Sequence, residues 1–204
     1  MEKEFCNAGQ KGSLQQFLQL LRNEKIDVNS LQNGYTALMY ACWQGQLEIV
    51  KLLLEEKRVR LNEVSYFGET AFYFACWHGQ IEIIKCMLKD HRVNINQANY
   101  YGETPLMIAT FWGRVEVIKW MLASDRFVNV KLENNAKKTA LTIAKLRGEG
   151  DQKNWEGVEE LKSRQQNCNE IYQLLDQYQI NRKQTVYNLQ KELLILGNFL
   201  ITIF

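Results

Sequence analysis

Four threonines, Thr36, Thr70, Thr104 and Thr139, follow one another at intervals of 34, 34 and 35 residues. Each heads nearly the same text. Gly34-Tyr35-Thr36-Ala37-Leu38 leads to Ala41-Cys42-Trp43-Gln44-Gly45, and Gly68-Glu69-Thr70-Ala71-Phe72 leads to Ala75-Cys76-Trp77-His78-Gly79. Self-similarity with a period of roughly 20–50 residues means stacked supersecondary units that share a continuous core, because one such unit cannot bury its own apolar face. Asn99 to Leu122 shows what the unit is. A turn precedes a helix begun by Thr104-Pro105, a break falls at Gly113, and a second helix carries Val117, Ile118, Met121 and Leu122. Threonine can accept a bond from an orphan N–H of the first turn, and proline at the first helical position loses no bond. Gly45, Gly79 and Gly113 can take the left-handed conformation that ends a helix.

The second helices are apolar around most of their circumference, as in Leu47, Ile49, Val50, Leu52, Leu53 and Leu54, so they must be buried on several sides. Glu48 with Lys51, Glu82 with Lys85 and Glu116 with Lys119 stand at i, i+3 and mark the solvent edge. The small pairs Ala41-Cys42, Ala75-Cys76 and Ala109-Thr110 let neighbouring first helices approach. Five cysteines without a C-x-x-C, two of them at equivalent helical places, read as core spacers in a reducing compartment. The charged start Met1-Glu2-Lys3-Glu4 lacks the apolar run of a secretion signal, which leads us to expect cytosol or nucleus. With 25 basic and 23 acidic residues the chain has no electrostatic footprint for nucleic acid.

The repeat divides the chain into units at about 1–30, 31–64, 65–98, 99–133 and 134–178, followed by a tail over 179–204. The first is divergent and polar, as an end unit with one wet face should be. In the last, Lys137 replaces the turn glycine, and the second helix arrives late, near Glu170, after a polar insert over 149–167. That insert reads as a solvated excursion with a short helix at 157–162 and one large apolar residue, Trp155. In the tail, Val186, Leu189, Leu193 and Leu196 share a helical face, which suggests a capping helix on the last unit. The apolar run from Leu193 to Phe204 is too short to span a bilayer, leaving membrane contact or an abnormal terminus as alternatives there.

The pattern G-x-T-[AP]-L-x-x-x-A-C-x-x-G-x-x-E-[IV]-[IV]-K-x-x-L resembles the ankyrin repeat, over residues 1 to about 178. The family's histidine after T-P-L is replaced by Met39, Tyr73 and Met107, only one unit keeps the proline, and the glycine after the second helix is absent. The resemblance implies an all-α solenoid of helix-turn-helix units with projecting turns, and a concave surface where each turn lies beside a first helix. The positions it assigns to that surface are Gln32, Asn33, Tyr35, Trp43 and Gln44; Tyr66, Phe67, Glu69, Trp77 and His78; and Tyr100, Tyr101, Glu103, Phe111 and Trp112. Nine of these fifteen are aromatic against 11% of the whole chain, an excess that folding alone does not require of turns. Rigid Trp and Tyr side chains are the usual anchors of interfaces.

The expectation is a non-enzymatic module that holds a peptide or protein through this aromatic face, with Glu69, Glu103 and His78 setting register. Trp43, Trp77, Tyr101 and Trp112 are expected to contribute most to affinity. Toward the C-terminal end the aligned positions become Asn135, Ala136, Lys138, Leu146 and Arg147, with Lys137 and Lys145 nearby, which suits an acidic stretch of partner. Against this stand packing roles: Phe67 and Tyr101 stacking on neighbouring turns, and Trp43, Trp77 and Phe111 wedged between units. Trp120 aligns with Leu52 and Cys86 and belongs to the core. No nucleophile elbow, phosphate loop or histidine pair is present, Cys76 and His78 point apart, and Cys42, Cys76, His78 and Cys86 lack zinc-ligand spacing. No cofactor, metal or catalytic residue is therefore expected, and the chain is expected to be monomeric. The rival readings are a targeting or substrate-receptor part of a larger enzyme, or peripheral membrane attachment through the tail.

Overall fold

The computed structural model describes residues 1–149 and 158–195. Among them are the helices α1 (Glu2–Lys11), α2 (Leu14–Leu21), α3 (Ala37–Gln44), α4 (Leu47–Glu55), α5 (Ala71–His78), α6 (Ile81–Lys89), α7 (Pro105–Phe111), α8 (Val115–Ala123), α9 (Ala140–Gly148), α10 (Val158–Ile180) and α11 (Arg182–Ile195), and no strand. The threonines act as caps: Thr36, Thr70, Thr104 and Thr139 accept from the backbone N–H of Met39, Tyr73, Met107 and Thr142 at 3.1–3.2 Å. Pro105 takes the first helical position of α7. Gly45 and Gly79 close α3 and α5 with φ of 75° and 71°, a conformation other residues reach only at a cost.

The helices form two layers. First helices stack on one another in the order α1, α3, α5, α7, α9, and second helices in the order α2, α4, α6, α8, α10. Burial follows: Ala37 to Cys42 and Ala71 to Cys76 are buried without interruption, while α4 buries Ile49, Val50 and Leu53 on one side. Cys42 and Cys76 donate weakly to Met87 and Met121 of the neighbouring layer at 3.8 and 3.9 Å, and burial pushes both thiols far above their ordinary range.

Two side-chain ladders that the sequence reading overlooked tie unit to unit. Asn29, Asn62 and Asn96 each donate to a carbonyl of the next connector, that of Arg58, Arg92 or Phe127, at 2.7–2.8 Å. Each also accepts from an N–H two residues farther on, at Arg60, Asn94 and Asn129. Arg58 and Arg92 reach back to the carbonyls of Leu21 and Leu54 at the ends of α2 and α4, and Arg126 to Asp90 and Val93 beyond α6. A guanidinium there satisfies carbonyls that have no intrahelical partner and meets the negative end of the helix dipole. The signal was available, since Arg58, Arg92 and Arg126 are 34 residues apart.

The last unit differs from expectation. α10 is one helix from Val158 to Ile180, not a short helix followed by a loop and a second start near Glu170. No proline or glycine interrupts 158–180, and Glu159, Glu160, Lys162, Arg164, Gln165 and Gln166 are good helix formers. Asn167 on α10 donates to the Gly113 carbonyl, two residues beyond the place matching the Trp77 and Trp43 carbonyls that Arg114 and Gln80 reach one and two units earlier. Trp155 and the rest of 150–157 lie outside the described residues, as does the tail beyond Ile195.

α11 lies against both α8 and α10, burying Leu189 and Leu193. Lys119 there is more than an edge residue. Its ammonium meets Glu116 at 3.6 Å and also Glu170 of α10 and Glu192 of α11, both at 2.9 Å. Burial alone would push its pKa down, but the bonds to Glu192 and Glu170 outweigh that and hold it raised. Trp120 is buried, with the Lys85 ammonium 4.5 Å from its ring centroid. Among the described residues no helix is long and apolar enough to cross a membrane.

Candidate partner-binding surface

The turns that carry the candidate rings are braced from within. Ser65 Oγ accepts from the N–H groups of Phe67 and Glu69, Asn99 Oδ1 from those of Tyr101 and Glu103, and Asn134 Oδ1 from those of Ala136 and Lys138. A short polar side chain that bonds its own backbone a few residues on holds a turn without further support. These three residues recur at the same spacing as the threonines and were missed in the sequence. The first full unit uses a different device. Asn33 and Gly34, both at positive φ, make the two-residue hairpin paired between Gln32 and Tyr35.

Successive turns are also joined. The N–H of Tyr100 donates to the Phe67 carbonyl, and that of Asn135 to the Tyr101 carbonyl. The ring of Tyr66 lies over Gly34 and that of Tyr100 over Gly68, where any Cβ would collide with it. The rings seated on a glycine of the neighbouring turn are thus Tyr66 and Tyr100, whereas the packing alternative had named Phe67 and Tyr101. Even so, all four rings and Trp112 remain between 46% and 69% exposed.

Beside the turns the helix-end rings form one connected row. Tyr35 meets Trp43 edge-on at 5.8 Å, and the His78 imidazole lies 5.5 Å from Trp43 on one side and 5.5 Å from Trp77 on the other. Trp77 stacks on Trp112 at 6.4 Å, Trp112 meets Phe111 at 5.6 Å, and the Arg147 guanidinium stands 4.2 Å from the Phe111 centroid. Trp43, Trp77 and Phe111 are half-buried, with Trp43 stacked flat on buried Phe74 of the next unit. They therefore wedge between units and line the row at once.

The carboxylates need correction. Glu69 is 8% exposed and turned into its own turn, where it accepts from Ser65 Oγ at 2.8 Å. Burial, more than the nearby Glu103, raises its pKa. It cannot set the register of anything outside. Glu103 is half-buried and receives the Tyr73 hydroxyl at 3.3 Å and the Asn99 amide at 3.4 Å.

His78 is also less free than expected. Its Nε2 is buried without a hydrogen-bond partner among the described residues. Burial, and then the Arg114 guanidinium, hold its pKa below the ordinary value. Where the folded state disfavours the proton, the unfolded chain binds more of it, so stability is expected to fall as pH drops below about 6.5. Glu69, with a raised pKa, acts in the opposite sense and loses stability as pH rises past the ordinary carboxylate range. Thermal melts of the wild type and His78→Gln between about pH 7.5 and 5.5 separate the two. The acid-side decline should shrink in the variant, and an unchanged slope would assign it to another group.

Among the described residues no group of three or more His, Cys, Asp or Glu could hold a metal ion. A cleft of about 430 Å³ between the start of α8 and α10 is lined by Arg114, Glu116, Lys119, Asn167 and Glu170. It lies against the second-helix layer, apart from the row of rings. A family model described as ankyrin repeats in three copies matches residues 5–65 and 56–134. With those matches spanning most of the chain, and with threonine-capped helix pairs stacked in two layers behind projecting turns, the protein belongs to the ankyrin-repeat family.

Proposed function

We propose that the protein is a non-enzymatic module that binds a peptide or protein segment along the row of rings from Tyr35 to Phe111 and the exposed turns beside it. Ankyrin repeats are in general protein–protein interaction modules and typically not catalytic. The observation that carries the reading is the continuity of the aromatic surface. Rings from three successive units touch one another, and the turns beside them hold Tyr66, Phe67, Tyr100 and Tyr101 between 49% and 69% exposed. An exposed apolar surface of this kind on a rigid support offers contact area at little cost in side-chain entropy. Of the candidate residues, Tyr35, Trp43, Tyr66, Phe67, Trp77, His78, Tyr100, Tyr101, Phe111 and Trp112 remain on the proposed surface. Glu103 stands at its edge, and Glu69 leaves it.

The test is a double substitution at the two most outlying anchors, Tyr101→Ala with Trp112→Ala. Hot-spot truncations cost about 2 kcal/mol or more each, roughly 30-fold in affinity, whereas each of the two Trp112 ring contacts is worth only about 0.5–1.5 kcal/mol to the fold. Proteins captured from a cell extract by the wild type should be lost from the variant while its melting temperature moves little. Retention of every captured protein, or loss of folding in step with binding, counts against the reading.

A further inference from the structure

Resting on that reading, we propose that the bound segment is bipartite, with apolar side chains over the central units and a run of Asp or Glu over the last turn. The central surface is short of outward charge. Glu69 is buried, Glu103 is half-buried on neutral donors, and the other exposed turn residues there are rings or amides. Beyond Phe111 the character changes. Lys137 and Lys138 occupy the last turn, Lys145 and Arg147 the end of α9, and the Arg147 guanidinium on Phe111 joins the rings to the cations.

Among the described residues, the acids paired with the lysines do not cancel this. Glu133 is 3.7 Å from Lys137 and Glu149 is 3.9 Å from Lys145, pairs at least half exposed on both sides, and such pairs are weak and screened. The backbone adds a separate observation. Lys137 holds φ of 58°, the left-handed conformation that glycine supplies at positions 34, 68 and 102. A lysine is strained there, and strain kept at a turn tip that glycine would relieve points to a use for the ammonium. A cationic end next to an apolar row selects carboxylates by complementarity and speeds their approach in a salt-dependent way.

The test uses random 16-residue peptides (~16, long enough to cross several units) displayed on phage and selected on the full chain. The same selection is run on Lys137→Gly with Lys145→Gln, and on Tyr101→Ala with Trp112→Ala. Lys137→Gly relieves the backbone, so the first variant should melt no lower than the wild type. Peptides recovered on the wild type should pair Leu, Ile or Phe with an acidic run. They should bind the lysine variant at least about tenfold more weakly and lose most of their salt dependence on it. Peptides that need Tyr101 and Trp112 but are neutral, basic or indifferent to the lysines overturn the bipartite segment and leave the aromatic surface standing. Recovery of no peptide that depends on Tyr101 and Trp112 overturns both.

Discussion

A chain ending at Asn181, without α11, is expected to lose about 3–6 kcal/mol of stability. Leu189 and Leu193 are 3% and 0% exposed against α8 and α10, and each buried side chain of this size contributes about 1.5–3 kcal/mol. The same cut removes the Gln190 amide that donates to the Ala123 carbonyl at the end of α8, and Glu192 from Lys119. It also exposes the faces of α8 and α10 that α11 covers, while α1 to α6 keep their neighbours. Because repeat stacks are held by contacts between adjacent units, unfolding should begin at the cut end and separate from that of the first units. Urea titration followed by tryptophan fluorescence and by circular dichroism reads this directly. The two signals should no longer coincide. A loss below about 1 kcal/mol would mean that α11 rests on the stack without supporting it.

Replacing Gly102 with alanine is expected to cost about 2–5 kcal/mol, far more than the same change at Gly113. Both glycines are at positive φ, 76° and 65°, and a side chain in that conformation costs about 1–2 kcal/mol at either place. They differ in what a Cβ would meet. At Gly102 it would lie 2.9 Å from the Asn134 Cα and from the Asn135 backbone nitrogen, which cannot move without breaking the bond from that N–H to the Tyr101 carbonyl. Forced contacts of this kind add about 1–3 kcal/mol. At Gly113 the nearest atom is the Asn167 Cβ at 3.4 Å, an ordinary contact. Gly102→Ala should also uncouple the Tyr100–Tyr101 turn from the Lys137 turn and so weaken partner binding beyond its effect on folding. Chemical denaturation of the two variants side by side makes the comparison, and equal losses would show that the turn-to-turn contact carries no weight.

Much of this architecture can be read without coordinates because its signals are local. A threonine caps the N–H three residues on, a glycine ends the helix it follows, and an apolar second helix has no choice but burial. Those bonds close within a single turn of chain and repeat in register. Trp120 could be placed in the core by alignment alone. The ladders of Asn29, Asn62 and Asn96 and of Arg58, Arg92 and Arg126 were equally present in the spacing, but asparagine and arginine in connectors read as solvent-facing until their partners about 30 to 38 residues away are in view.

The surface was less legible for the same reason. Tyr66 and Phe67 are adjacent and chemically alike, and only the position of Gly34 one unit earlier decides that Tyr66 is the ring that covers a neighbour. Glu69 and Glu103 occupy equivalent places, yet Ser65 draws the first inward with its hydroxyl while Asn99 offers the second only an amide. The amino-acid sequence by itself determined the repeating unit, its caps and the order of the stack, since each follows from bonds between residues three or four apart. Tertiary structure alone decided which rings face outward, where α10 docks on the stack, and that α11 folds back onto α8. Those outcomes depend on contacts between units, where the neighbour's shape and charge outweigh any local preference.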